Sequence, residues 1–152
     1  MNKSLQFITT KITFNDCIDL RSRILRPDQP IKNCHYAGDD LASTFHLGIL
    51  KGTQVLSNGT FILEATPKLP EAKLSYRLRG MATDYNYQKQ GLGKLILEAA
   101  LLELKKLHCD LLWFNARLSA ERFYKKMQFE ALEEIFEIPS VGPHKVMYKW
   151  LG

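Results

Sequence analysis

The sequence predicts a mixed α/β (α+β) fold, one sheet with helices on both faces, and three observations carry that prediction. Several short alternating or apolar runs end in Gly, Asn or Pro turn signals, as strands do. One longer segment, Gly91 to His108, sets its apolar residues at helical spacing instead. Hydrophobic residues make up 45% of the 152-residue chain, enough for a core and too many for a disordered polymer. The length fits one domain over residues 1–152.

Taken in order, Ser4 to Thr10 alternates like a first strand. Asn15 or Asp16 is placed to cap a helix running to Arg26, where Pro27 ends it. Pro27, Pro30, Gly38, Asp39 and Asp40 predict an irregular, partly helical segment. Three strands are expected over Thr44 to Leu50, Gln54 to Ala65 and Lys73 to Thr83. Lys51-Gly52 marks a turn between the first two, and Pro67 and Pro70 mark a loop. Asn58-Gly59, inside the second run, leaves open its division into two shorter strands.

The helix over 91–108 rests on the stripe Leu97, Leu101 and Leu104, widened by Leu95, Ile96, Ala99 and Leu102. Lys105, Lys106 and His108 suit the negative end of its dipole. Leu111 to Phe114 is wholly apolar, as in a strand covered on both faces. Ser119 to Met127 predicts a further helix, after which Phe129 returns to the core. Strands over Ala131 to Ile138 and Lys145 to Leu151 finish the chain, with Pro139 to Pro143 between them. This order implies a mixed sheet with helices on both faces.

Composition narrows the function. The net charge of +5 is dispersed and attached to no nucleic-acid motif, so it describes either a lysine-rich surface or an anion-binding one. No apolar stretch approaches the roughly 20 residues of a membrane helix. The N-terminal residues lack the apolar core of a secretion signal. Three cysteines, Cys17, Cys34 and Cys109, have no paired spacing. Free thiols in a cytoplasmic protein, with no metal site, are the expectation.

The segment DYNYQKQGLGKLILEA, residues 84–99, sets two glycines at the mouth of the most apolar helix. Glycine costs a helix interior about 1 kcal/mol against alanine. Between a strand and a helix, such glycines expose backbone N–H groups at the positive end of the dipole, where phosphate binds. Gly91 and Gly93 allow close approach, and Lys89 and Lys94 add charge at the rim. The same glycines also suit a sharp turn with no ligand. A Walker loop requires GxxxxGK[ST], which Gly-Leu-Gly-Lys does not supply. A dinucleotide fingerprint requires a third glycine, where Ile96 stands.

Gln88-Lys89-Gln90-Gly91-Leu92-Gly93 matches the Q/R-x-x-G-x-G/A signature of the GNAT superfamily, the acyl-CoA-dependent N-acetyltransferases. The run Leu78 to Thr83 lies directly before it, where that family has its central strand. Ala120-Glu121-Arg122-Phe123-Tyr124-Lys125-Lys126-Met127-Gln128-Phe129 resembles the family's A-x-x-F-Y-x-x-x-G-F segment. The resemblance is clear over about residues 44 to 150. It implies a mostly antiparallel, twisted sheet of about six or seven strands. One departure is Gln128, which stands where the family places a glycine of positive φ.

The resemblance further implies acetyl-CoA as cosubstrate, in a cleft between strands ending near Thr83 and Asn115. Its diphosphate would sit on residues 89 to 94, including Leu92. Its pantetheine arm would meet the Met81, Ala82 and Thr83 backbone and the Asn115 side chain, with Gln88, Gln90, Phe123 and Tyr124 completing the site. A backbone oxyanion contact is worth a few kcal/mol in such reactions. Tyr124 holds the position of the general acid, and a phenol of pKa about 10 suits a departing thiolate. The family's glutamate base is missing, since Ser75 to Ala82 contains no carboxylate. Glu134, Glu137, His144 and His46 are the candidates. Arg23, Arg26, Cys34, His35, Tyr36, Asp39 and Asp40 are expected near the acceptor site. Arg77 and Arg79 are placed either to meet an anionic substrate or to pair with Asp39 or Asp40. The acceptor would be an amine of a small molecule or peptide, with neither nucleic acid nor membrane as partner. Late strands leave room for a homodimer. An inactive acyl-CoA sensor is the competing reading.

Overall fold

The computed structural model describes residues 7–152. Along it run β1 (Thr9–Ile12), α1 (Phe14–Leu20), β2 (Phe45–Lys51), β3 (Gln54–Leu63), β4 (Ser75–Thr83), α2 (Leu92–Lys106), β5 (Leu111–Arg117), α3 (Glu121–Lys126), β6 (Glu130–Ala131), β7 (Phe136–Ile138) and β8 (Gly142–Trp150). The strands form one sheet in the order β1-β2-β3-β4-β5-β8-β6, with β7 also on β8. Every pairing is antiparallel except that of β4 with β5. This is the mixed α/β architecture that the element order predicts.

Several local expectations need correction. The first strand begins at Thr9, after Phe7 and Ile8, and residues 4–6 of the expected run lie outside the described residues. The cap of α1 is Thr13; Asp16 sits three residues further on and accepts the Thr13 N–H at 2.9 Å. After Leu20 the helix widens into one π turn, Arg21–Leu25, closed by the Arg26 N–H on the Arg21 carbonyl at 3.0 Å.

Asn58-Gly59 is no turn, because both residues lie inside the sheet. A Cβ on Gly59 would stand 3.3 Å from Met81 and 3.5 Å from Ile96, so the missing side chain lets α2 lie close on β3. The expected strand over 131–138 splits into β6 and β7. The last strand starts at Gly142, three residues early, because a tight turn through Ser140 at φ 67° closes a hairpin with β7.

Leu92, Ile96, Leu97, Ala100 and Leu104 of α2 pack on Phe45, Leu47, Phe61, Tyr76 and Leu78 of the sheet. Leu20, with Val55 and Ala82, packs the other face. The cysteines are free and buried. Among the described residues no helix is long and apolar enough to cross a membrane, and no cluster of His, Cys, Asp or Glu has the makings of a metal site.

Candidate active site

Two defects in the sheet open the site. β4 and β5 pair in parallel only from Ser75 and Leu111 to Arg77 and Trp113. Beyond that they separate, while β8 follows β5 as far as Arg117 and His144. The edge of β4 past Arg77 therefore has no strand beside it on that flank. The second defect is a bulge where β3 and β4 lose register between Asn58 and Thr60. Gly80 sits in it at φ 65°. The buried Asn58 braces the bulge, its amide donating to the Gly80 carbonyl at 2.9 Å. The extra residue changes the alternation, so Met81 joins Leu78 on the α2 side while Ala82 faces α1. A cavity of about 330 Å³ fills the gap between the strands.

The glycine motif lies at the start of α2. Gly91 is the N-cap at φ 82°, and Lys89 is also left-handed, at φ 63°. The first helical bond runs from the Leu95 N–H to the Gly91 carbonyl at 3.1 Å. The N–H groups of Leu92, Gly93 and Lys94 therefore have no partner within the helix. Gln88, Lys89, Gln90 and Gly91 are exposed. A Cβ at Gly91 would meet nothing within 4 Å, whereas one at Gly93 would reach the Phe123 ring at 3.4 Å. The approach is fixed by a short turn in which Asp84 accepts the Asn86 N–H at 3.0 Å and pairs with Arg23 at 2.8 Å.

Tyr124 reaches the cavity from α3. Its ring lies 4.4 Å from Phe114 and 5.0 Å from Phe123, centroid to centroid. Burial raises its pKa far above that of an ordinary phenol, so it holds its proton at neutral pH. Its hydroxyl has no partner among the described residues. Met81, Asn115 and His144 line the same cavity. The His144 Nδ1 is 2.7 Å from the Gly142 carbonyl. A carbonyl only accepts, so Nδ1 carries a proton, and in the neutral ring Nε2 is then the acceptor.

The other base candidates lie elsewhere. Glu134 falls in the connection between β6 and β7, its side chain 70% exposed and 3.9 Å from Lys68. It is not in the cavity wall, because the strand expected to carry it is broken there. Glu137 is exposed on β7. His46 is buried on β2, between the Thr60 hydroxyl at 2.7 Å and the Asp39 carbonyl at 2.9 Å.

On the α1 side, Arg26 and Tyr36 of the expected acceptor group reach the cavity, joined by Arg77, Arg79 and Arg117. Asp39 is buried and takes both guanidinium nitrogens of Arg21, at 2.7 and 2.8 Å. Cys34 is buried, His35 packs on Phe14, and Asp40 is exposed. Sequence reasoning did not single out Arg21, nor Leu25, Arg117, Ile138 and Val141 of the wall. Arg117 alone left a signal, as the charge that ends the run after Trp113 and Phe114.

A known family description, acetyltransferase (GNAT) domain, matches residues 45–131. The chain is 39% identical over 140 residues to the uncharacterized N-acetyltransferase YitI of Bacillus subtilis, covering 92% of this chain and 93% of that one. An acyl-CoA N-acyltransferase from Pseudomonas aeruginosa superposes with a TM-score of 0.70 at 20% identity, covering 94% of this chain and 99% of that one. An aminoglycoside 6'-N-acetyltransferase in complex with coenzyme A gives 0.74 at 9% identity, over 94% and 96% of the two chains. These last two likenesses are of fold.

Proposed function

The chain belongs to the GNAT acetyltransferase family, and we propose that it moves an acetyl group from acetyl-CoA to a primary amine of a small molecule or peptide by direct attack. The observation that carries this reading is the gap between β4 and β5, with protonated Tyr124 in its wall and the start of α2 close by, where a Cβ on Gly93 would lie 4.0 Å from Met81 of that wall. The residues present fit coenzyme A. Unpartnered N–H groups at Leu92 to Lys94 suit a diphosphate, with Gln88, Lys89 and Gln90 around it. The open edge of β4 at Met81 to Thr83 and the Asn115 amide suit the pantetheine arm. When bound, the cosubstrate supplies a thioester carbon open to attack by an amine.

The chain's own residues align, polarise and move protons. Backbone N–H groups at the bulge donate to the carbonyl oxygen as negative charge develops on it, without reorganisation. His144 accepts the amine proton at Nε2, while the Gly142 carbonyl holds its other nitrogen. Tyr124 gives its proton to the departing sulfur. Its dry aromatic surroundings keep that proton in place until the thiolate forms.

Thiol release with acetyl-CoA and an amine panel, alongside calorimetry with coenzyme A, tests the reading. Gly91→Val is expected to weaken coenzyme A binding at least about tenfold, because valine resists the left-handed cap and projects over the helix start. Wild-type protein that gives no heat with coenzyme A would end the proposal.

A further inference from the structure

Four arginines, Arg26, Arg77, Arg79 and Arg117, line the cavity, and no Asp or Glu does. Arg77 is already answered, by Glu64 at 3.0 Å, and lies over the Trp113 ring. The other three form no ion pair among the described residues. Arg26 donates to the Asn33 carbonyl at 2.6 Å and Arg117 to the Leu25 carbonyl at 3.3 Å, both neutral acceptors. Arg79 stacks on Tyr36, 4.1 Å from the ring centroid. Arg26 stands 5.6 Å from the same centroid. Asp39, the carboxylate that the sequence offers to Arg77 or Arg79, is held bidentately by Arg21.

Burial and the neighbouring Arg77 charge both disfavour the charged form of Arg79. The Glu64 carboxylate is an opposing charge, but it pairs directly with Arg77 and not with Arg79. A half-buried cation with like charges beside it and no ion pair of its own is unfavourable in the free protein. An anion arriving from outside relieves that cost, and the guanidinium fork matches carboxylate or phosphate.

We propose that the acceptor amine carries an anionic group, carboxylate or phosphate, held by Arg79 and Arg26 beside the Tyr36 ring. The identification rests on the acetyl-transfer reading above. Polycationic acceptors such as polyamines and aminoglycosides are disfavoured, since the wall that would meet them carries only positive charge.

The test pairs acceptors that differ only in their anion. Thiol release is measured with the common α-amino acids against their amides, with amino-sugar phosphates against the free amino sugars, and with spermidine. Loss of the anion is expected to lower kcat/KM about thirtyfold or more, as for removal of a charged hydrogen bond. Whichever anionic set is acetylated identifies carboxylate or phosphate. Arg79→Gln is expected to raise KM for the anionic acceptor about tenfold or more and to leave KM for its neutral partner within about twofold, with Arg79→Lys intermediate. Its melting temperature should fall by no more than a few degrees, since only the stacking on Tyr36 is lost and no ion pair is broken. Its calorimetric affinity for coenzyme A should match wild type.

Preference for spermidine or for neutral amines, acetylation of no anionic amine, or an unmoved KM in Arg79→Gln would overturn the anionic acceptor while coenzyme A binding left acetyl transfer standing. A larger loss of melting temperature with unchanged KM would assign Arg79 to the fold instead. No heat with coenzyme A in wild type would overturn both readings.

Discussion

Burying a guanidinium is costly unless its charge and donors are answered, and Arg21, at 0% exposure, is answered on nearly every side. Asp39 takes two of its nitrogens, the Thr60 hydroxyl accepts at 2.7 Å and the Cys34 carbonyl at 2.8 Å. Burial alone would raise the Asp39 carboxyl, but the Arg21 and Tyr36 donors outweigh it and hold it below the usual carboxylate range. Arg21→Met is expected to cost about 3–5 kcal/mol in chemical denaturation by leaving Asp39 buried and unpaired. His46 closes the network: its Nε2 must donate to the Asp39 carbonyl, so its Nδ1 accepts from Thr60. Burial lowers the His46 pKa, and the Arg21 charge adds to this against the opposing pull of Asp39. Below about pH 6.5 the unfolded chain thus binds more protons at this residue than the folded one. The stability it contributes is complete above that pH and is lost as the pH falls toward the lowered folded value. The urea midpoint should drop between about pH 7.5 and 5.5, and drop less in His46→Gln. In the cavity itself, Tyr124→Phe should cut turnover about tenfold or more while coenzyme A affinity holds, as read by single-turnover kinetics and calorimetry.

At the scale of elements, the end of α3 departs from the family pattern in a way that can be measured. Gln128 follows the helix at φ 66°, a left-handed conformation that favours glycine. It is exposed and loses nothing by truncation. Gln128→Gly should therefore stabilise the protein by about 0.5–1 kcal/mol in thermal or urea unfolding. The bulge in β4 behaves in the opposite sense. A Cβ at Gly80 would stand 3.0 Å from the Tyr36 ring and 3.1 Å from the Arg21 Nε, in a conformation already left-handed. Alanine there strains both the turn and the ring on which Arg79 stacks.

Across the whole molecule, the two faces of the sheet do different work. The α2 face presents the helix start and, through the change of parity at the bulge, Met81. The α1 face presents Tyr36 and the arginines. The separation of β4 from β5 joins the two, so a ligand entering there touches both. Saturation with coenzyme A at about 100 times its dissociation constant should add about 2.7 kcal/mol to stability and raise the melting temperature by roughly 5–10 °C. The same addition should shift Gly91→Val far less.

Much of this is legible in the sequence alone. The stripe of α2, the cations at its end, the glycine motif ahead of it and the F-Y pair after β5 are local patterns, and local patterns survive in a linear text. Even the strain at Gln128 can be read from one position. Turn chemistry misleads at Asn58-Gly59, where burial inside the sheet overrides a dipeptide preference, and the run around Glu134 breaks where period alone suggests one strand. The pairing of charges is beyond the reach of local pattern altogether. Asp39 is open to Arg77 or Arg79 by sequence, and in the fold it goes to Arg21, 18 residues away in the chain. That choice depends on distances set by packing α1 against the sheet. It is also what leaves Arg79 in the cavity wall without an ion pair of its own. Family and fold are therefore written in the order of residues, while the character of the acceptor pocket is decided by which charges folding brings together and which it keeps apart.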